Sequence, residues 1–136
     1  VRANKGEKMI LYHFCAEFSK DGILSEGIRL GQFAYFTNGD YKFIPNCQWL
    51  TKDANPKNQS WATTNIIDYS RTAYRMTINI PNNRHKKLIR AVDFVHDMSG
   101  EAKQIVNGWF GSENWYIYCG KIPPQWILGC HRMEEL

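Results

Sequence analysis

Glu113 and His13 are the two residues best placed to do chemistry. Glu113 stands at the mouth of a strongly β-prone run, Trp115 to Cys119, and His13 sits between Tyr12 and Phe14 in the first apolar run, Ile10 to Cys15. A carboxylate at a strand's entrance is held by the sheet yet can face a cleft, where it stabilises positive charge developing on a substrate. An imidazole facing the same cleft adds a hydrogen bond to the same ligand. Other chemistries lack their signatures. His13, His85, His96 and His131 show no i, i+4 pairing and no H-E-x-x-H string, and the adjacent Cys130-His131 is a poor geometry for a closed metal site. Neither G-x-G-x-x-G nor a Walker string is present, and nothing places Cys15, Cys47 or Ser112 on a nucleophile elbow.

The elements that must position this pair follow from periodicity. Ile10 to Cys15 reads as a strand. Ser19 to Glu26 reads as a short helix, with Ser19 as N-cap, Ile23 and Leu24 as anchors and Gly27 as its stop. Phe33 to Phe36 and Tyr41 to Ile44 flank the turn Asn38-Gly39-Asp40 as hairpin arms, and Cys47 to Thr51 is a further strand. Lys52 to Gln59 is polar and turn-rich, a loop. Ala73 to Ile80 alternates strictly and is the clearest strand. The spacing predicts helices over Leu88 to His96 and Ser99 to Trp109, with the basic, exposed stretch Arg84 to Lys87 before them. Asn114 to Cys119 is the last strand expected, closed by the rigid corner Ile122-Pro123-Pro124. Intermixed strands and short helices imply an α+β domain with a mainly antiparallel sheet.

With 136 residues, one domain covering 1–136 is expected, with 1–8 as an unstructured leader before Met9. Hydrophobic content of 43% against 22% charged is that of an ordinary globular chain, and no apolar run approaches the ~18 residues of a membrane helix. The aromatic share of 14%, with five Trp, leaves rings for stacking as well as packing. A net charge of +4 favours anionic ligands but is too mild for a protein that coats duplexes. The four cysteines have no C-x-x-C spacing, so reduced thiols and a cytoplasmic location are expected.

Three segments, in order, resemble the ADP-ribosyltransferase superfamily in its His-Tyr-Glu branch, which includes DarT-like DNA ADP-ribosyltransferases and KptA-like RNA phosphotransferases. Leu11 to Gly31, LYHFCAEFSKDGILSEGIRLG, is similar to the family opening of Y-H-x-T or H-x-S followed by I-L-x-x-G-L/I, with Cys15 where Thr or Ser is common. Gln48-Trp49-Leu50-Thr51 looks like the second NAD-facing strand, and Phe33 to Thr37 competes for that place. Glu113 before a late strand, followed by the proline corner and Trp126-Ile127, resembles the family's catalytic segment; Gly111 replaces the Gln or Glu that often selects a protein acceptor.

The resemblance implies an ADP-ribosyltransferase-like split antiparallel β-sheet core with short flanking helices, and transfer of ADP-ribose from NAD, as substrate and without metal, to a nucleic-acid or protein acceptor. Glu113 would be catalytic. His13, next to Tyr12, would bind the adenosine-side ribose, and Trp49 and Thr51 would flank the nicotinamide, with Tyr35 as the alternative aromatic. Arg71 or Arg75 would neutralise the pyrophosphate. Such proteins act without a membrane, as toxins, phage-related counter-defence factors or RNA-maturation enzymes. Two further readings are a catalytically inactive module of the same fold acting through a partner, and a single-strand nucleic-acid binder that stacks bases on Trp and Tyr.

Overall fold

The computed structural model describes residues 9–37, 39–58, 71–96, 98, 103, 106, 108 and 111–133. Its elements run β1 (Met9–Cys15), α1 (Lys20–Glu26), β2 (Gln32–Thr37), β3 (Asp40–Pro45), β4 (Cys47–Thr51), β5 (Tyr74–Ile80), β6 (Leu88–Arg90), α2 (Ala91–Phe94), β7 (Trp115–Cys119) and β8 (Ile127–Arg132), with short 3-10 turns between several of them. Six strands form one sheet in the order β6-β7-β4-β1-β5-β8, and β2 and β3 form a separate hairpin. Every ladder between named strands is antiparallel. The chain is therefore α+β with a mostly antiparallel sheet and few, short helices.

Strand alternation builds a core on each side of this sheet. On β5, Tyr74, Met76, Ile78 and Ile80 are buried while Arg75, Thr77 and Asn79 turn to the other face. The first core joins that row to Leu11, Leu50 and Tyr118, and takes in Ile28 and Ile122 from outside the strands. The second gathers Cys47, Trp115 and Ile117 with Phe33 of β2 and with Ala91 and Val95 at α2. Burying each of these large side chains stabilises the fold by about 1.5–3 kcal/mol.

Two joints fix the strands that matter for function. α1 stops at Gly27, whose φ of 85° only glycine adopts freely, and a side chain there would collide with the Ile122 carbonyl. That close approach lets Ile28 and Ile122 exchange two backbone hydrogen bonds, each of 2.9 Å, tying the first helix to the segment after β7. The second joint is the β1/β4 seam. β1 pairs with β5 along seven residue pairs, and β4 with β7 along five, but β1 and β4 meet in ladder register at Tyr12↔Thr51 alone.

Three expectations need correction. Leu88 to His96 is not one helix: Leu88–Arg90 forms β6 at the sheet edge and only Ala91–Phe94 is helical. Leu88 packs on the first core while Ala91 and Val95 enter the second, and a straight helix cannot serve both faces of a sheet. Ile127–Arg132, which carries no strand expectation, forms β8 against β5 with a register shift at Thr77/Ile78. Its pattern is half-buried to exposed because an edge strand is covered on one side only, which blurs the alternation. Ser19 does precede α1, but it follows a 3-10 turn, has helical dihedrals and makes no side-chain cap. The expected leader at 1–8 and most of the expected helix over 99–109 lie outside the described residues.

Candidate functional site

Past Tyr12↔Thr51 the two strands leave the ladder, and a side chain takes over its work. His13 Nδ1 lies 2.8 Å from the Trp49 carbonyl oxygen. A carbonyl only accepts, so in the neutral ring Nδ1 carries the hydrogen and Nε2 is left as an acceptor. Burial pushes the His13 pKa below its ordinary 6.5, opposed more weakly by the hydrogen bond to Trp49. At neutral pH the seam therefore holds an uncharged imidazole of fixed tautomer.

Two cavities adjoin this point, of about 650 Å³ and about 370 Å³. They share His13, Phe14, Trp49 and Arg71 as a common wall. The larger continues under α1 to Gly27 and Gly31, and the smaller is completed by Tyr12, Thr51 and Trp115. Both volumes fall in the ~300–1,000 Å³ range of small-molecule and cofactor sites.

Several expected site residues thus converge. Tyr12 and Thr51 are the paired residues at the seam itself. Thr51 is buried, and its Oγ1 accepts a hydrogen bond from the Asp53 amide at 3.1 Å. Trp49 is held on several sides: its Nε1 donates to the Gln32 carbonyl at 3.1 Å, Phe33 stacks on it at 5.5 Å, and Trp115 meets it edge-on at 5.9 Å. Those contacts clamp the ring to the β2–β3 hairpin. Of the two arginines, Arg71 lines both cavities, whereas Arg75 lies over the Tyr12 ring at 5.2 Å and donates to the Ala54 carbonyl at 3.1 Å. Tyr35 lies in β2 opposite Lys42, and its side chain is outside the described residues.

Glu113 stands apart from this group. It sits in the 3-10 turn Ser112–Asn114 that leads into β7, set up by Gly111 at a φ of 87°. The Asn114 carbonyl accepts from the Lys52 amide at 3.0 Å, which fastens the turn to the end of β4. Glu113 is exposed and is not among the residues lining either cavity, although Trp115, two residues on and roughly 7 Å along an extended chain, lines the smaller one.

Gln48 is a site residue whose role the sequence does not announce. It is wholly buried, its Oε1 accepts from the Gly31 amide at 2.8 Å, and its Nε2 donates to the Gly120 carbonyl at 3.0 Å. It thereby ties the floor of the larger cavity to the far end of β7. The one clue is an amide side chain flanked by apolar residues in a short strand.

Among the described residues no cluster of three or more His, Cys, Asp or Glu is arranged to hold a metal ion, and no helix is long and apolar enough to cross a membrane. Comparison with protein-family models, curated proteins and solved structures finds no match.

Proposed function

We propose that this protein is an ADP-ribosyltransferase of the His-Tyr-Glu type, moving ADP-ribose from NAD to an acceptor. The observation that carries the reading is the parted β1/β4 seam with two cavities meeting across one wall. NAD is two nucleosides joined by a pyrophosphate, and two lobes sharing a wall of His13, Trp49 and Arg71 suit that shape. Arg71, rather than Arg75, is the guanidinium at the junction. His13 Nε2, left as an acceptor, takes a hydrogen bond from a ribose hydroxyl. Trp49 and Thr51 flank the nicotinamide, with Tyr12 beside them. The seam divides the sheet into a β6-β7-β4 half and a β1-β5-β8 half, which supports the split-sheet core that the sequence resemblance implies.

Breaking the nicotinamide–ribose bond develops oxocarbenium-like positive charge, as in glycoside chemistry. In this reading Glu113 stabilises that charge and orients the incoming nucleophile. Its turn leads into β7, the neighbour of β4, so it approaches the ligand from the end of the smaller cavity.

A second reading has one observation in its favour. Glu113 is exposed and outside both cavity walls, as suits a module that holds a nucleotide in this fold without turning it over. One experiment separates the two: labelled NAD is incubated with the protein and with separate pools of protein, DNA and RNA. Transfer of label to one pool, with release of nicotinamide and loss of both in Glu113→Gln, supports the transferase. NAD binding without nicotinamide release favours the silent module, and absence of NAD binding refutes both.

A further inference from the structure

Away from the seam, on the side of the sheet that carries the first core, a third recess of about 360 Å³ is lined by Arg84, Lys87, Tyr118, Lys121, Pro123 and Trp126. Its cations come from two separate segments. Arg84 and Lys87 lie on the 3-10 turn Asn82–Lys87 before β6, and Lys121 follows β7. The fold brings the segments together because β6 pairs with β7, Leu88 opposite Tyr118. The Lys87 ammonium reaches Gly120, lying 3.8 Å from where a side chain there would begin.

The floor is aromatic. Tyr118 is buried and Trp126 meets it edge-on at 5.6 Å and 88°, while Trp126 itself is only half-buried. Arg84, Lys87 and Lys121 take no part in the ion pairs Lys20–Asp21, Arg29–Glu26 and Arg132–Glu17, and Glu26, the acid that feels Lys121, is engaged by Arg29 at 2.9 Å. Three cations gathered on one recess repel one another, and an anion relieves that repulsion.

We propose that this recess binds single-stranded nucleic acid, seating a base against Trp126 with the flanking phosphates on Arg84, Lys87 and Lys121. Cations from two separate segments beside an aromatic floor suit a phosphate–base–phosphate run better than one free phosphate. A recess of this size admits an unstacked base and not a duplex. The exposed large apolar residues among those described, Phe18, Leu24, Leu30, Tyr41, Phe43 and Leu128, all lie outside its lining. The recess shares no lining residue with the seam cavities, although Gly27 on the rim of the larger one abuts Pro123 here, and the inference does not depend on NAD chemistry.

The test is fluorescence anisotropy with labelled ten-nucleotide dT and rU strands, with inorganic phosphate, a mononucleotide and phosphatidylserine vesicles as separate arms. Each phosphate neutralised on a single strand contributes about 0.7 to the slope of log affinity against log salt, so three predict a slope of about −2 and roughly 18-fold weaker binding at 200 mM than at 50 mM salt. Lys87→Ala and Lys121→Ala should each flatten the slope by about 0.7. Trp126→Leu should weaken binding roughly 5- to 150-fold with the slope unchanged. Both lysines are exposed, so their variants keep the test valid if Trp126→Leu fails to fold. A slope indifferent to Lys87 and Lys121, phosphate or mononucleotide binding as tight as the strands, or binding to vesicles alone overturns the proposal.

Discussion

Replacing Gln48 with Leu should unlatch the floor of the larger cavity without altering side-chain bulk much. Gln48 is wholly buried and serves two backbone groups, the Gly31 amide at 2.8 Å and the Gly120 carbonyl at 3.0 Å. Leu strands both. An unsatisfied buried polar group costs about 1–3 kcal/mol, and Gly31 borders a cavity that admits water, so its share falls at the low end. The sum is about 2–4 kcal/mol, a large part of the ~5–15 kcal/mol that holds a domain folded. For a chain of this size that lowers Tm by roughly 6–20 °C. Urea unfolding followed by tryptophan fluorescence reads the loss directly, and an unchanged m-value shows that the same surface is exposed. Gln48→Glu sharpens the test. Ionised, that carboxylate still accepts from Gly31 but faces the Gly120 carbonyl with a second acceptor; protonated, it donates. Its folded-state pKa is therefore raised above the unfolded value, so its stability is present at low pH and lost as pH rises through the folded pKa. A Gln48→Leu loss under about 1 kcal/mol, or a Gln48→Glu protein as stable as wild type at pH 8, refutes the assigned latch.

Two further perturbations probe the seam and the β4/β7 pairing. The His13 pKa is depressed below 6.5 by burial, so between the folded and unfolded values the unfolded chain binds more protons; stability is full above about pH 6.5 and declines as pH falls below it. Melting temperatures from pH 8 to pH 5 should show that decline, and His13→Gln should flatten it; an identical slope in the variant removes His13 as its source. Cys47 and Cys119 face each other across β4 and β7, and the Asn46–Gly120 hydrogen bond beside them makes theirs a non-hydrogen-bonded pair, with Cα atoms ~4.5 Å apart and within disulfide range. Burial raises both thiol pKa values, so exchange is slow at neutral pH and accelerates in alkali. Diamide, which accepts the two hydrogens, should link Cys47 to Cys119 in peptide maps; a link through Cys15 or Cys130, which oppose Tyr74 and Met76 instead, contradicts the register.

What is legible in the chain is what local physics controls. Strict alternation from Tyr74 to Ile80 places β5 because one face is buried in the first core while the other, with Arg75, Thr77 and Asn79, is only half-buried, and Gly27 marks the end of α1 because a positive φ and a close carbonyl admit nothing larger. The hairpin around Gly39 follows from its turn residues. Legibility fails where one segment answers to two environments. Leu88 to Val95 carries helical spacing, yet its apolar residues divide between two cores, and the sheet edge takes the first of them as β6. β8 is paired on one side only, so its sequence lacks the contrast that betrays a central strand.

The seam is the deepest case, because it is a property of pairing and not of any residue. The family resemblance names Tyr12, His13, Trp49 and Thr51, but only the parting of β1 from β4 turns them into cavity wall. A parted ladder leaves backbone groups to be satisfied by other means. The His13 imidazole does this for the Trp49 carbonyl, and in doing so fixes its own tautomer and charge. The group that holds the opening in place is thus the same group that the opening offers to a ligand. Substituting His13 should therefore disturb stability and ligand binding together, whereas Glu113, exposed on its turn and outside the cavity walls, can be changed with the seam intact. That asymmetry makes Glu113→Gln the cleaner probe of chemistry and His13→Gln the cleaner probe of architecture.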